Sequence, residues 1–317
     1  MNGDDAMRRL SLVIPFMNEA GSLPELLRVL DGVLDEVEMS HEIILVDDGS
    51  TDESWSVLQQ SRPPGLTIVG LRFSRNFGKE AAIRAGLERS TGDATVVMDA
   101  DLQHPPELLP QMIAAWQTSE AMVVEAVRSN TYRRSLLPSV GAKLVYGALS
   151  KLAGMPLDRA TDYKLMDRKV VDDLVALKER VSLFRGVVTW MGYPTTSIMF
   201  DVPDRSHGAS RWSLLRLTSM AIDAVTGFTA FPLRVVTLFS GLFIVSSFVL
   251  ILQTLYNYWT GQAVEGFTTV IISILLVGGV ITASLGIIGE YLARVFEEVK
   301  ERPSFVIADT YDSTGED

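Results

Sequence analysis

Short apolar runs alternate with longer amphipathic stretches along the first part of this chain. The runs predict buried strands, and the stretches predict helices that each begin near a turn or capping signal. The predicted strands are Leu10–Pro15, Glu42–Val46, Leu66–Leu71, Ala94–Met98 and Met122–Val127. The predicted helices are Leu23–Val37, Asp52–Gln60, Lys79–Arg89 and Pro106–Trp116. This alternation predicts an α/β fold with a mostly parallel sheet, and ligands of such sheets bind beyond the carboxyl ends of the strands.

The last third of the chain contains two long stretches without a charged residue, Val235–Leu255 and Phe267–Ile288. Each would extend for about 30 Å as a helix, which matches the thickness of a bilayer core. We expect a hairpin of two transmembrane helices, with a buried hairpin of a soluble protein as the alternative. The connecting loop has no Lys or Arg, whereas Arg234 precedes the pair and Arg294 follows it. This asymmetry predicts that the α/β domain and the C-terminal tail face the cytoplasm.

The segment before the first stretch mixes apolar residues with cations and a tryptophan, from Arg211 to Ile222. Such a segment can form interfacial helices in the headgroup layer, and an ordinary surface helix is the alternative. The predicted organisation is a nucleotide-binding domain at 1–205, an interfacial segment at 206–232, two transmembrane helices at 233–290 and a cytoplasmic tail at 291–317. Small residues such as Gly278 and Gly286 would allow close helix contact within the hairpin or in a homo-oligomer.

Composition excludes several classes of protein. The chain has 317 residues, of which 47% are hydrophobic, and a formal net charge of −11. This charge argues against a nucleic-acid-binding protein, because phosphate backbones are bound by clustered Lys and Arg. Cysteine is absent, so there is neither a disulfide nor a thiolate metal site. The three histidines are too scattered along the chain to indicate a zinc site.

Two polar clusters directly follow predicted strands. The first runs from Pro15 to Glu19 and includes Asn18, and the second begins with Asp47-Asp48-Gly49 and continues to Asp52. Carboxylates at strand ends can accept hydrogen bonds from the base and ribose of a nucleotide, and the glycine lets the chain turn beside the ligand. Ordinary turn and helix-capping chemistry is the alternative explanation for the second cluster.

A third cluster, Asp99-Ala100-Asp101 with Gln103, follows the fourth predicted strand. Mg²⁺ prefers oxygen ligands and usually combines one or two carboxylates with substrate phosphates. Asp99, Asp101 and Gln103 therefore predict a site for Mg²⁺ or Mn²⁺ with a diphosphate. A solvated loop before the next helix is the alternative.

A fourth group consists of arginines that lie beyond the predicted strands in the sequence, including Arg128, Arg205 and Arg211. Arginine forks suit phosphate, and the segment from Ser206 to Ser210 could fold over a cleft. Most surface arginines are simply solvated, so this group supports a phosphate site only in combination with the other clusters.

Taken in order, these motifs resemble the polyisoprenyl-phosphate glycosyltransferases. These are family 2 enzymes similar to dolichol-phosphate mannose synthase and to bacterial undecaprenyl-phosphate glucosyltransferases. The resemblance extends from about Leu10 to Pro303. The motifs are VIP with NE at 13–19, VDDGSTD at 46–52, SRNFGKE at 74–80, DADLQ at 99–103, KLMDR at 164–168 and GIIGEY at 286–291. The resemblance implies a GT-A, Rossmann-like catalytic domain.

The resemblance also implies residue roles. Nucleotide-sugar binding is implied for Pro15, Asn18, Glu19, Asp47, Asp48, Lys79, Asp99 and Ala100. Catalytic roles are implied for Asp162, Asp101, Arg205 and Arg211, and the acceptor phosphate would be bound by Arg128, Arg205 and Arg211. Two positions differ from the family pattern: His104 stands where many bacterial relatives have Asp, and Arg211-Trp212 replaces Lys-Tyr or Lys-Phe. We expect the first difference to change local charge more than metal binding.

The function predicted from these residues is inverting transfer of a hexose to undecaprenyl or another polyprenyl phosphate at the inner membrane. Glucose from UDP-glucose is the favoured donor, and UDP-sugars are favoured over GDP-sugars. A processive polysaccharide synthase is one alternative, but such enzymes carry Gln-x-x-Arg-Trp, and position 208 is Gly here. A non-catalytic nucleotide-sugar sensor or a membrane scaffold is the other alternative.

Overall fold

A computed structural model describes residues 8–61, 63, 65–129, 161–177, 184–201, 231–260, 266–300 and 302–313. Its strands are β1 (Arg9–Phe16), β2 (Ser40–Asp47), β3 (Ile68–Phe73), β4 (Ala94–Val97), β5 (Val123–Arg128), β6 (Lys164–Asp167), β7 (Thr195–Phe200) and β8 (Ile307–Asp312). Its helices are α1 (Leu23–Leu34), α2 (Ser54–Gln60), α3 (Lys79–Arg89), α4 (Leu109–Thr118), α5 (Arg168–Ala176), α6 (Phe184–Trp190), α7 (Phe231–Trp259) and α8 (Phe267–Val299). A short 3₁₀ turn, Pro106–Leu108, precedes α4.

The strands form one sheet in the order β7-β5-β6-β4-β1-β2-β3-β8. The central strands β4, β1, β2 and β3 are parallel to one another, and β5 is parallel to β7. Strand β6 is antiparallel to both β4 and β5, and β8 is antiparallel to β3. The predicted α/β fold is confirmed, with a sheet that is mixed rather than almost wholly parallel.

Strand β1 is buried on both faces, which explains its nearly continuous apolar sequence. On one face, Leu12 packs in a cluster with residues of α1 such as Leu26. On the other face, Val13 packs against α3, where a Cβ added at Gly86 would lie only 2.2 Å from the Val13 side chain. Glycine at this position therefore allows α3 to lie directly on the sheet, and α3 carries several residues of the candidate site.

The five predicted strands and four predicted helices all occur in the structure, with ends shifted by a few residues. Strands β6, β7 and β8 and helices α5 and α6 were not among the predicted elements. The chain divides into two compact units, one of which contains the sheet, including β8, and the other α7 and α8. The segment predicted as a tail from 291 therefore contains the end of α8 and then a strand of the sheet.

Helices α7 and α8 contain the two stretches that were predicted to span a membrane. In the described residues, one helix is long and apolar enough to cross a bilayer by length and composition, with its apolar window at Leu276–Ala293. Helix α7 contains a shorter apolar stretch, Val235–Leu250. The prediction of two spans is thus met for one helix only. The interfacial segment predicted at 206–232 lies outside the described residues except for its last two positions.

Candidate active site

The strand order brings the polar clusters to one edge of the sheet. Strands β4, β1 and β2 are parallel neighbours, so the loops that follow them begin at the same edge. Strand β6 is antiparallel to β4, with Val97 opposite Lys164, so the residues before β6 lie at that edge too. Asp99, which follows β4, therefore lies close to Asp162, which precedes β6.

The loops after β1 and β2 are joined through the side chain of Asn18. Its Oδ1 atom accepts hydrogen bonds from the amides of Thr51 at 2.8 Å and Asp52 at 3.3 Å. Its own amide donates to Ser50 Oγ at 2.9 Å. Asn18 has a φ of +57°, a left-handed conformation that Asn tolerates better than most residues. This bonding fixes the two loops against each other.

Asp48 fastens the loop that leads into α3. Its carboxylate accepts the amide hydrogens of Phe77 at 2.7 Å and Gly78 at 3.0 Å, and the residue is 5% exposed. Burial raises the pKa of Asp48, although these two amides act in the opposite direction. In this structure Asp48 therefore positions the start of α3, where Lys79 is the first residue.

Lys79 lies between two carboxylates. Its Nζ atom is 2.5 Å from Asp99 Oδ1 and 2.7 Å from Asp162 Oδ2. Burial works to lower the pKa of Lys79, but the two carboxylates outweigh it and raise that pKa above its ordinary value. The ammonium group thus joins Asp99 of the predicted metal cluster to Asp162, for which the resemblance implies a catalytic role.

Asp162 also pairs with Arg185 of α6. Arg185 Nε donates to Asp162 Oδ1 and Arg185 Nη2 donates to Oδ2, both at 3.1 Å. Burial opposes ionisation of Asp162, but Lys79 and Arg185 together hold its pKa below the ordinary value. A carboxylate stabilised in this way is ionised at neutral pH and is a weak proton acceptor. The ion pairs of Asp162 with Lys79 and Arg185 therefore suit a role in positioning these cations better than a role as a general base.

His104 supports the loop of Asp99 as a neutral group. The Asp99 amide donates to His104 Nδ1 at 3.0 Å, and the ring stacks on Tyr163 with centroids 5.0 Å apart. Burial lowers the pKa of His104, so the imidazole is uncharged near neutral pH, and its proton is assigned to Nε2. A neutral histidine at this position therefore adds no charge beside Asp99.

Asp99, Asp101 and Gln103 fit a hard divalent cation by their chemistry. Asp101 Oδ1 accepts the amide of Gln103 at 3.1 Å, which holds this turn together, and Asp99 already attracts the cation of Lys79. Within the described ranges, no set of three His, Asp or Glu side chains is arranged to hold a metal ion by itself. A site that combines two carboxylates with substrate phosphate oxygens is the form typical of Mg²⁺.

A cavity of about 610 Å³ opens beside the loop after β2. Its lining includes Ser50 and Thr51 from that loop and Arg75 from the loop after β3. Gly49 contributes through its backbone, since φ is +73° and an added Cβ would lie 2.5 Å from the Arg75 carbonyl carbon. The volume is within the usual range for small-molecule sites. This cavity is the candidate site for the nucleoside part of a ligand.

Glu80, next to Lys79, accepts the amide hydrogen of Phe184 at 2.8 Å and so ties α3 to α6. Burial raises the pKa of Glu80 from 4.5 to about 7, against the opposing effect of the Phe184 amide. Between these two values the folded protein keeps a proton that the unfolded chain has released. The contribution of Glu80 to stability is therefore full below pH 4.5 and is lost as the pH rises towards 7.

Replacing Glu80 by Gln should stabilise the protein at pH 8 by about 3 kcal/mol and leave it almost unchanged at pH 4.5, because Gln accepts the same bond without a charge. Apparent melting temperatures from tryptophan fluorescence across this pH range would measure the effect. Glu88→Gln, an exposed position on the same helix, is the matched control. Equal melting temperatures for Glu80→Gln and the wild type at every pH would contradict the assignment.

The remaining predicted site residues are distributed as follows. Pro15 is buried within β1 opposite Val46, and the Glu19 carboxylate accepts a bond from Ser22 Oγ at 2.5 Å near the start of α1. Arg128 ends β5. Arg205 and Arg211 lie outside the described residues. Arg185 was not found by sequence reasoning, because nothing in the pattern around it distinguishes it from a solvated arginine.

Residues 11–174 match the family described as Glycosyl transferase family 2. The chain is 36% identical, over 95% of its length and 95% of the relative, to an uncharacterised glycosyltransferase of Synechocystis sp.. It is 33% identical, over 94% of its length and 97% of the relative, to the SfII prophage-derived bactoprenol glucosyl transferase of Shigella flexneri. A solved structure of glucosyl-3-phosphoglycerate synthase from Mycobacterium tuberculosis with Mn²⁺ and UDP-glucose aligns at 20% identity and a TM-score of 0.48, covering 69% of this chain and 77% of that one.

Proposed function

This chain belongs to glycosyl transferase family 2, and on that premise we propose that it transfers glucose from UDP-glucose to undecaprenyl phosphate. The observation that carries the proposal is the extent of the match to the Shigella flexneri enzyme. It covers 94% of this chain, so the likeness includes the long apolar helices as well as the nucleotide-binding sheet. If the acceptor were a soluble molecule, the similarity of the two long apolar helices would have no functional explanation.

A divalent cation bound by Asp99, Asp101 and Gln103 would stabilise negative charge on the diphosphate that leaves the sugar. The fit of these residues to Mg²⁺ or Mn²⁺ rests on their oxygen donors and on the attraction of Asp99 for a cation, here the ammonium of Lys79. Asp48 supports the same function indirectly, since it fixes the loop from which Lys79 extends.

The reaction is a single displacement. An oxygen of the acceptor phosphate forms a bond to the anomeric carbon, while the bond from that carbon to the diphosphate oxygen breaks and its electron pair leaves with UDP. Because the attacking oxygen is already anionic near neutral pH, the step needs little help from a general base. Attack opposite the leaving group inverts an α-linked donor into a β-linked lipid product.

Lys79 and Arg185 would neutralise the phosphate groups that the reaction brings together, and Asp162 would hold both cations in position. The ion pairs of Asp162 with these two residues support this division of roles. Cations fixed before the substrate arrives stabilise developing charge without reorganisation, often the largest contribution to catalysis. Arg128, Arg205 and Arg211 remain proposed partners of the acceptor phosphate.

We also propose that α7 and α8 both cross the membrane, with the catalytic domain on the cytoplasmic side. Large apolar side chains on both helices are exposed to solvent, for example Leu242 at 62% and Leu285 at 62%. Contiguous exposed apolar surface of this kind is rare in soluble proteins and common in those that contact lipid. The absence of Lys and Arg between the two apolar stretches supports the orientation. A homo-oligomer formed through small residues of the helices also remains a proposal.

Glucose transfer to a short-chain polyprenyl phosphate tests this function directly. We expect the purified full-length protein to form a glucosylated lipid from UDP-glucose when Mg²⁺ or Mn²⁺ is present. Chelation should reduce the rate about a hundredfold or more, because charge on the departing diphosphate would lose its main stabilisation. Extraction of labelled lipid and mass spectrometry would identify the product.

A panel of UDP- and GDP-sugars provides the control for donor identity. Turnover with another UDP-sugar alone would correct the sugar and retain the reaction class. No turnover with any nucleotide sugar, from a protein that binds one of them, would instead favour the non-catalytic sensor. Release of a polymer rather than a monoglycosylated lipid would favour a processive synthase.

A further inference from the structure

The C-terminal strand β8 is fixed along its length to the edge of the sheet. It pairs antiparallel with β3, with Gly70 opposite Tyr311 and Arg72 opposite Asp309. Further backbone bonds lie at both ends of the strand, from the Ser74 amide to the Val306 carbonyl and from the Ser313 amide to the Ile68 carbonyl, each at 2.9 Å. This segment therefore belongs to the catalytic domain, although it follows both long helices in the sequence.

Side-chain contacts fix β8 further. Trp55, which is 4% exposed, donates its indole hydrogen to Asp309 Oδ2 at 3.1 Å. Phe305, just before the strand, stacks on Phe73 with ring centroids 5.1 Å apart. Because Trp55 belongs to α2 and Phe73 ends β3, these contacts join β8 to helix α2 and to the end of β3.

A bulge turns part of β8 towards the cavity of the candidate site. The pairing shifts between Arg72 and Phe73, which lie opposite Asp309 and Ile307, so Ala308 is left without an opposite residue. Bulges of this kind redirect side chains and are frequent beside active sites. Since β8 is antiparallel to β3, this part of β8 lies at the carboxyl edge of the sheet. Ala308 and Asp309 both line the cavity, together with Ser50, Thr51 and Arg75.

We infer that β8 forms one wall of the pocket for the nucleoside part of the sugar donor, with Ala308 leaving space for it and Asp309 setting the polar side of that wall. The inference rests on the proposed function, which supplies the nucleoside diphosphate. Asp99 follows β4 and the cavity lies beyond β2 and β3, so the two places are separated by about three strand spacings, or about 14 Å. An extended nucleoside diphosphate is about this long, with its phosphates at Asp99 and its nucleoside in the cavity that β8 borders on the outer side.

A graded series at Ala308 tests the inference. Ala308→Ser, Ala308→Leu and Ala308→Trp fill the cavity by increasing amounts at an exposed position of the edge strand. UDP binding to the full-length protein in detergent, measured by calorimetry with Mg²⁺ present, should weaken in that order and fall at least tenfold for Trp. The matched controls are Thr310→Leu and Thr310→Trp, on the same strand but outside the cavity lining, and these should stay within twofold of the wild type.

Melting temperatures of all variants separate a filled pocket from a misfolded strand, since the Ala308 and Thr310 substitutions add similar bulk to β8. Equal UDP affinity for Ala308→Trp and the wild type would overturn the inference, and so would an equal loss in the Thr310 series. Failure of the wild type to bind any of UDP, GDP or CDP would overturn it as well. If UDP binding follows the Ala308 series but no sugar is transferred to polyprenyl phosphate, the inference stands and the proposed function fails.

Discussion

Asp99→Asn and Asp101→Asn should each reduce glucosyl transfer about a hundredfold or more, the largest loss expected from a conservative change in this protein. Each substitution removes a negative charge from the proposed metal cluster but keeps the side chain almost the same size. Asp99→Asn also deprives Lys79 of one of its two carboxylate partners. Initial rates of label transfer from UDP-glucose to polyprenyl phosphate at saturating Mg²⁺ would measure the loss.

Asp35→Asn is a suitable control, because Asp35 is exposed at the end of α1, away from the carboxyl edge of the sheet. We expect its rate to equal that of the wild type. Mn²⁺ binding followed by electron paramagnetic resonance supplies a readout that does not depend on turnover, and it should weaken in both site variants. Full activity of folded Asp99→Asn and Asp101→Asn proteins would refute the assigned metal site.

Asp162→Asn should impair both transfer and folding. Asp162 is 4% exposed and is the shared partner of Lys79 and Arg185, so loss of its charge leaves two neighbouring cations without their common anion. We expect a loss of stability of about 2 kcal/mol, reduced from the value for fully buried pairs because both cations are partly exposed. Transfer should fall by about a hundredfold, since these cations are proposed to neutralise phosphate.

Asp172→Asn is the matched control, because Asp172 also pairs with an arginine, Arg168, but at the surface. Surface pairs of this kind contribute little, so its stability and activity should be unchanged. Arg185→Lys should give an intermediate effect, since it keeps the charge and loses the two-point contact. If the Asp162 and Asp172 variants behave alike, the proposed role of the buried cluster is wrong.

The depressed pKa of Asp162 has a consequence for the pH dependence of the wild type. A carboxylate of this kind contributes stability above its unfolded pKa, and that contribution is lost only as the pH falls through the lower, folded value. Transfer rates at neutral and mildly acidic pH should therefore show no inflection from this group. An inflection near neutrality that disappears in Asp162→Asn would identify it as a general base instead.

The central strands and the clusters after them could be predicted from sequence because their signals are local. A run such as Leu10–Pro15 is apolar except for Ser11 because helices cover both faces of β1, and the polar residues Asn18 and Glu19 follow soon after it because the strand ends near solvent. Parallel pairing then places Asn18, Asp48 and Asp99 at one edge without further information. These parts of the site follow from periodicity and the general geometry of α/β sheets.

The remaining contacts of the site join residues that are far apart in the sequence, so no local sequence pattern predicts them. Asp162 lies near enough to Asp99 to share Lys79 with it because β6 pairs antiparallel with β4, and Arg185 reaches Asp162 from a separate helix. Strand β8 was missed for a similar reason, since Ile307–Asp312 contains three polar residues and its pairing strand, β3, lies far earlier in the sequence. The family resemblance supplied Asp162 as a site residue but not its pairing with Lys79 and Arg185.

The late return of the chain to the sheet changes how the two long helices should be regarded. Both helices are inserted within the sequence of the catalytic domain, because the chain returns to that domain after them and adds the edge strand β8. Cutting the chain before Phe231 would remove β8 and leave the hydrogen-bonding groups of β3 open to other chains, a recognised cause of aggregation. A water-soluble version of the domain would therefore have to rejoin residues 303–313 through a linker that replaces both helices.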